Sequence, residues 1–350
     1  MKNYFIGIDF AKKKIDVAAL RADGLSEKGV YAQFENSASG ARKLERWLGD
    51  VCGTSAHDSA LICGENTGVY SVAVSKALAR DGYTVCIESP LRIKRSLGLT
   101  RGKTDRKDAR DIAEYAARHR DRLTPYAEPD KEIEALKTLF THRRLLVAQR
   151  CDLQRRNREM ASLYKGNPML EGMLGASNRV IKALGREVRN IEGQMARIIR
   201  DSPGLSRTYA ILTSMKGVAM VNAVALIAHT DNFRRFDFDA RRICSYWGIA
   251  PFANQSGSAL NGTPHVSHLA DRYLKSLLSQ AVVCATRFCP EIKQYAQRLK
   301  DRGKHLSVIR NNCKNKMIHI LVAMVKNGTF YGQNNLIANE HENNSDFSCI

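Results

Sequence analysis

At 350 residues the chain is long enough for two domains with separate cores, and a hydrophobic content of 44% excludes wholesale disorder. Its formal net charge of +20, from 55 Lys and Arg against 35 Asp and Glu, favours a polyanionic partner, because cationic side chains displace counterions from phosphates. No stretch approaches the ~20 apolar residues that span a bilayer, and Asp9 with Lys12, Lys13 and Lys14 interrupts any signal-peptide core, so a cytoplasmic protein without a membrane partner is expected.

The first third alternates strand and helix signals. Tyr4 to Asp9 is a short apolar run ending in an acid, Ile15 to Leu20 reads as a second strand, and Val30 to Phe34 as a third. Ala38 to Val51 has helical spacing, with Leu44, Trp47 and Leu48 on one face. Ala60 to Cys63 is the fourth strand, Val69 to Ala79 a helix, and Tyr83 to Ile87 the fifth strand. Another helix starts at Pro90, and after a break at Gly102 a further one runs from Asp105 to about His119. Three consecutive strands followed by alternating helices and strands match the order of an RNase H-like fold. A doubly wound nucleotide-binding domain gives a similar string, but no Gly-rich phosphate loop follows the first strand.

From Pro129 to about Arg200 the chain is rich in Lys, Arg, Glu, Leu and Gln, with spaced leucines such as Leu136, Leu139, Leu146 and Leu153. A long helix, or a helical hairpin turning at Gly166-Asn167-Pro168, is the simplest reading. Arg143, Arg144, Arg150, Arg155, Arg156 and Arg158 form a basic stretch suited to phosphates or to an oligomer interface. From Leu205 to Gly332 helices alternate with Gly and Pro breaks, and from Gln333 onward the Asn-rich, polar composition reads as a disordered tail. The nine cysteines form no CxxC pair, and their odd number argues against a disulfide framework; they read as small core residues rather than zinc ligands.

Four acids stand out by position. Asp9 closes the first strand, Glu65 follows the fourth, and Asp105 and Asp108 share one face at the start of a helix. Taken alone, the two helical acids would only cap the helix and favour its dipole. In an RNase H topology, however, the ends of the first and fourth strands and that helix converge on one sheet edge. Carboxylates gathered there repel one another unless a divalent cation such as Mg²⁺ holds them, and two such ions can position a phosphodiester.

The segments Ile6-Gly7-Ile8-Asp9-Phe10-Ala11-Lys12, Glu65-Asn66-Thr67-Gly68-Val69-Tyr70 and Lys103-Thr104-Asp105-Arg106-Lys107-Asp108-Ala109 resemble the three motifs of the insertion-sequence-110 family of transposases, which includes the Piv-type DNA invertases. The resemblance implies a RuvC-like domain of RNase H fold in which Asp9, Glu65, Asp105 and Asp108 bind Mg²⁺ and are catalytic. It also implies a second domain with a nucleophilic serine shortly after a Gly-aliphatic-x-Pro segment. Here Trp247-Gly248-Ile249-Ala250-Pro251 precedes Phe252-Ala253-Asn254-Gln255-Ser256-Gly257-Ser258, which places that serine at Ser256. Without the resemblance, Ser-Gly-Ser would read as a turn.

Leu212 to Ala219 is similar to the family's helix-hairpin-helix-like segment, with Ala219 where a second Gly is usual, and Tyr295 to Leu299 and the helix through Lys314 to Lys326 also fit. One stretch departs from the family: in place of its usual Arg and Lys stand His265 and His268, which either donate to phosphate more weakly or are surface histidines without a role. The resemblance covers roughly residues 4 to 332.

The expected fold class is therefore α/β plus α. Residues 1–125 form the RuvC-like domain, 126–204 a helical coiled-coil segment, 205–332 a mainly helical transposase domain carrying the serine, and 333–350 a disordered tail. The implied activity is strand cutting and rejoining through a phosphoserine ester, which conserves the bond energy of the cleaved strand. Activation of Ser256 by a metal ion of the acidic cluster would require the two domains to meet at a composite site. The implied partners are donor and target DNA, a structured guide (bridge) RNA that supplies sequence choice by base pairing, and further copies of the chain as a dimer or tetramer. The alternatives are a Piv-like invertase that needs no guide RNA, a Holliday-junction nuclease that uses only the four acids and water, and a non-enzymatic nucleic-acid-binding protein.

Overall fold

The structure is a computed structural model that describes residues 2–24, 29–53, 56–96, 98, 104–128, 130–256, 260–266 and 270–332, with the backbone only over 252–256 and 260–265. The chain divides into two compact units, Met1–Glu128 and Pro129–Ile350.

The first unit is built on β1 (Tyr4–Phe10), β2 (Lys14–Arg21) and β3 (Val30–Glu35), followed by α1 (Ala38–Cys52), the short α2 (Ala56–Ser59), β4 (Ala60–Glu65), α3 (Val69–Arg80), β5 (Thr84–Glu88), α4 (Pro90–Ser96) and α5 (Asp105–Arg118). The strands form one mixed sheet in the order β3-β2-β1-β4-β5. β1, β2 and β3 pair antiparallel, whereas β4 and β5 run parallel to β1. Both faces are covered, which accounts for the nearly continuous burial of β1, β2 and β4. Ile6, Ile8, Phe10, Ile15, Val17, Ile62 and Val85 face Leu44 and Leu48 of α1 and Val74 and Leu78 of α3. The alternate residues Phe5, Leu61, Cys63 and Cys86 face Ile112, Tyr115 and Ala116 of α5.

Gly7 of β1 is where α5 comes closest to the sheet. A Cβ there would lie 2.0 Å from the Ala109 carbonyl oxygen and 2.4 Å from the Ala113 nitrogen, and both are backbone atoms that cannot rotate away. Small Ala109, Ala113 and Ala116, all fully buried, complete the contact face of the helix.

The second unit begins with two long helices, α6 (Lys131–Leu163) and α7 (Pro168–Asp201). They break at the Gly166-Asn167-Pro168 turn for local reasons: Gly166 has φ +83°, Asn167 caps α7 by accepting from Met169 N at 3.0 Å, and Pro168 stands at the first helical position. Only one end of this pair enters a core, through Ile133, Leu136 and Phe140 of α6 and Ile191, Met195 and Ile199 of α7. That core continues through α8 (Pro203–Ser214), α9 (Met220–Thr230), a 3₁₀ turn (Arg234–Phe236), α10 (Ala240–Tyr246), α11 (Arg272–Phe288), α12 (Pro290–Asp301) and α13 (Leu306–Asn327).

Inserted between α10 and α11 is a two-stranded antiparallel ladder, β6 (Pro251–Ser256) and β7 (Leu260–Val266), in a region for which the Gly and Pro breaks predicted only helices and turns. Gly217, between α8 and α9, has φ +100°, and a Cβ there would lie 2.4 Å from Ala281 O of α11. Ala219 has φ −98°, which any residue adopts, so alanine is tolerated where the resemblance leads one to expect glycine. The expected tail from Gln333 lies outside the described residues. Six of the eight described cysteines are buried, and all eight are free thiols. Among the described residues no helix is long and apolar enough to cross a membrane.

Two predictions follow from this packing. Gly7→Ala should force α5 off the sheet and cost at least the ~1–3 kcal/mol of an overpacked core, read by urea unfolding, with loss of DNA rearrangement; wild-type behaviour would show that the helix accommodates a methyl group. His229, on α9, packs edge-on to Phe140 at 5.4 Å, and its Nε2 is buried without a partner. Burial first, then Lys137, Arg235 and Arg144 against the opposing Asp271, push its imidazole down to about 4. An unfolded imidazole binds its proton near pH 6.5, so between those values the unfolded state carries more protons and stability falls as the pH is lowered. His229→Phe should flatten a loss that reaches roughly 3 kcal/mol by pH 4. An identical pH profile for the variant would contradict this.

Candidate active site

The strand pairings place the acids of the first unit at one end of its sheet. The β1–β4 register runs to Ile8↔Gly64, so Asp9 and Glu65 come next, at the carboxyl ends of adjacent parallel strands roughly 4.8 Å apart. By the alternation of side chains, Asp9 shares the face of Phe5 and Gly7, and Glu65 that of Leu61 and Cys63, which is the face covered by α5. Asp105 and Asp108 lie in the first turn of α5, immediately before the Ala109 that packs on Gly7. Neither acid is the helix cap. That position belongs to Thr104, whose hydroxyl accepts from Lys107 N at 3.2 Å.

Two further acids escaped the sequence reading. Asp16 of β2 is the register partner of Asp9 and is 1% exposed. Its carboxylate accepts hydrogen bonds from the Tyr31 hydroxyl and from Gln33 Nε2 (2.9 Å), and pairs with Lys14 Nζ at 3.1 Å. Burial pushes its carboxyl up, but the hydrogen bonds from Tyr31, Gln33 and Lys14 outweigh burial and hold it below the ordinary aspartate range. Lys14 also reaches Asp105 Oδ2 at 2.5 Å, so one ammonium bridges β2 and α5. The hydrogen bonds to Asp105 and Asp16 raise its own pKa. Glu88 closes β5 as Glu65 closes β4, and it accepts from Ser89 N at 2.7 Å and from the Tyr115 hydroxyl at 3.2 Å. An acid ending a strand was the available signal for Glu88. For Asp16 it was a charged residue inside an apolar strand.

The donor types suit a hard divalent cation, all being carboxylate oxygens, and Lys14 already provides one positive charge beside Asp105. The side chains do not close a coordination sphere: among the described residues no three His, Cys, Asp or Glu stand together closely enough to hold a metal ion. Next to the acids lies a groove of about 570 Å³ whose charged lining is Arg106, Lys107 and Arg110 together with Asp111 and Glu114, the last paired with Arg110 at 3.2 Å, and the Arg106 guanidinium lies 5.3 Å from the Tyr31 ring centre. Arg106 and Lys107, with Tyr31 beside them, are the groups there that suit a nucleic-acid backbone.

In the second unit, Ser256 is the last residue of β6, paired in register with Leu260, and His265 pairs with Phe252. His268 lies outside the described residues. Part of the basic stretch on α6 is engaged within the unit: Arg143 pairs with Glu192 at 2.7 Å, and Arg144 pairs with Asp271 at 3.0 Å and lies 4.6 Å from the Tyr273 ring centre. Arg156 and Arg158 remain exposed.

A mixed five-stranded sheet with acids at the ends of β1 and β4 and at the start of α5 fits an RNase H-like domain of the DEDD transposase class. Comparison with known families agrees. A model described as Transposase, of the IS110 DEDD type, matches residues 6–165, and one described as Transposase IS116/IS110/IS902 family matches residues 209–297. The chain belongs to the IS110 family of transposases and is a DNA transposase/recombinase. Its relatives include the pilin gene-inverting proteins of Moraxella bovis and Moraxella lacunata, each 24% identical over 336 residues, which cover 93% of this chain and 97% of the relative. An IS110 insertion-element protein of Streptomyces coelicolor is 27% identical over 173 residues, 49% of this chain and 41% of its own length.

Asp16→Asn should cost about 1–3 kcal/mol at pH 7 in urea unfolding, the range for leaving buried polar partners unsatisfied. A carboxyl held below its unfolded value stabilises above that value, so the difference from wild type should start to narrow near the unfolded value, about 4, and close only once the pH has passed below the depressed folded one. A gap that does not narrow at all between pH 5 and pH 2 would mean that the carboxylate charge is not what holds the network.

Proposed function

We propose that this recombinase cuts and rejoins DNA with Ser256 as nucleophile and Asp9, Glu65, Asp105 and Asp108 as the carboxylates of a Mg²⁺-dependent centre. The observation that carries the reading is the topology: Asp9 and Glu65 end adjacent parallel strands on the face covered by α5, and Asp105 and Asp108 open that helix. Both family models span residues assigned to it: the first includes all four acids and the second includes Ser256.

The proposed step balances without an external energy source. Ser256 Oγ attacks the scissile phosphorus, the strand's 3′ oxygen leaves as a hydroxyl, and the 5′ phosphate remains esterified to the serine. A 3′ hydroxyl from another strand then attacks that ester, re-forming the phosphodiester and releasing the serine. Mg²⁺, when bound, would lower the charge of the phosphate and stabilise the attacking and leaving oxygens. Lys14 keeps Asp105 oriented toward the sheet, and Arg106, Lys107 and Arg110 line the groove that receives the flanking backbone. DNA is the substrate, a structured guide RNA supplies sequence choice, and the chain acts as a homo-oligomer.

A second reading is inversion of a DNA segment without a guide RNA, and the nearly full-length similarity to two pilin gene-inverting proteins favours the inversion itself. Recombination by a preparation freed of RNA would select this reading over the guided one.

The deciding experiment is to express the chain with its own flanking locus, lyse under denaturing conditions and look for a covalent protein–DNA adduct. The wild type should form one and Ser256→Ala should not. Cleavage that persists in Ser256→Ala without any adduct would replace the serine by water as nucleophile. Asp9→Asn, Glu65→Gln, Asp105→Asn and Asp108→Asn should each lower rearrangement by at least ~10²-fold, the scale on which a charge-stabilising group is missed. Wild-type rates in any one of them would remove that residue from the centre.

A further inference from the structure

The segment Gly248 to Pro251 leads directly into β6, and side chains from α11 and α13 hold it by its backbone. Lys275 Nζ donates to Gly248 O at 2.9 Å, and Asn311 Nδ2 donates to Ile249 O at 2.8 Å. Lys314 stands three residues beyond Asn311, on the same helical face. It is only 7% exposed. Among the described residues no carboxylate pairs with it and no acceptor is hydrogen-bonded to it, while the charged groups acting on it, Lys275 and Arg310, are both cations. Burial first, then those two neighbours, push the Lys314 ammonium below the usual lysine range. Asn311 Oδ1 is buried and has no hydrogen-bond partner among the described residues.

A largely buried lysine whose charged neighbours are both cations is an unfavourable arrangement, and an apolar side chain of equal length would fill the space at lower cost. The arrangement becomes favourable when an anion enters. Lys275 commits one of its three N–H donors to Gly248, leaving two, and Arg310 is exposed, so the cluster extends from solvent to interior. We propose that Lys314, Lys275 and Arg310 form an anion site at the root of the β6–β7 ladder, and that its ligand is a phosphodiester group of the DNA strand that Ser256 attacks. The identity of that strand rests on the serine reading above. The existence of the anion site does not.

Two properties of the full-length chain test this. Thermal unfolding is measured in inorganic phosphate and in chloride at equal ionic strength, and duplex DNA binding is measured as a function of salt. Phosphate should raise the midpoint of the wild type more than that of Lys314→Met, with Lys314→Arg retaining the wild-type response. The plot of log affinity against log salt should lose about one unit of slope in Lys314→Met, as expected for one phosphate contact. An unchanged phosphate response in Lys314→Met overturns the anion site. A lost phosphate response with an unchanged salt slope overturns DNA as its ligand. If Lys314→Met does not fold, Arg310→Gln at the exposed end of the cluster gives the same two readouts. Ser256→Ala should keep the full phosphate response, so failure of the serine chemistry and failure of this site remain distinguishable.

Discussion

The close approach of α5 to β1 is the contact on which the first unit depends. Because residue 7 has no Cβ, the Ala109 carbonyl and the Ala113 amide can rest directly on the strand. The same contact fixes where the helix begins. Two residues beyond Gly7 is Asp9, and one residue before Ala109 is Asp108, so the packing that builds this half of the core also sets acids of the helix near acids of the sheet. Stability and site geometry are therefore coupled through one glycine.

Gathering carboxylates in this way carries an electrostatic cost, and the structure shows how part of it is met. Lys14 lies between Asp16 and Asp105, and Tyr31 and Gln33 complete the shell of the buried Asp16. Each hydrogen bond to an ionised carboxylate is stronger than one between neutral groups, and more so where water is excluded. A local network thus keeps Asp16 charged, while the chain as a whole carries +20 and attracts phosphate. In the second unit the imbalance is reversed: Lys275, Arg310 and Lys314 converge where no described carboxylate answers Lys314.

Much of this was legible in the sequence because local rules decide it. All five strands of the sheet, helices α1 and α3 between them and the turn at Gly166-Asn167-Pro168 follow from residue periodicity, capping and the conformational limits of Gly and Pro, whereas the four-residue α2 is too short to show a period. Asp9, Glu65, Asp105 and Asp108 stood out because of their positions along those elements. Asp16 did not, because a single acid in an apolar strand looks like an exposed residue until its strand is paired and α5 covers its face of the sheet. The β6–β7 ladder escaped for a similar reason: with Pro251 opening β6, Pro264 within β7 and polar residues between, neither strand carries an apolar alternation, and the ladder shows itself only through its pairing.

By itself the sequence determined the class of protein: a basic, two-part chain with four acids in the order of a DEDD transposase and a serine after Gly-Ile-Ala-Pro. Tertiary structure decided which other groups share those surroundings. Asp9 and Asp16 are seven residues apart yet face each other across a ladder, Lys14 meets Asp105 from 91 positions away, and Lys275 and Asn311 hold the strand root from 27 and 62 positions away. Such contacts depend on strand register and helix packing, which are properties of the whole fold and leave no local pattern in the chain.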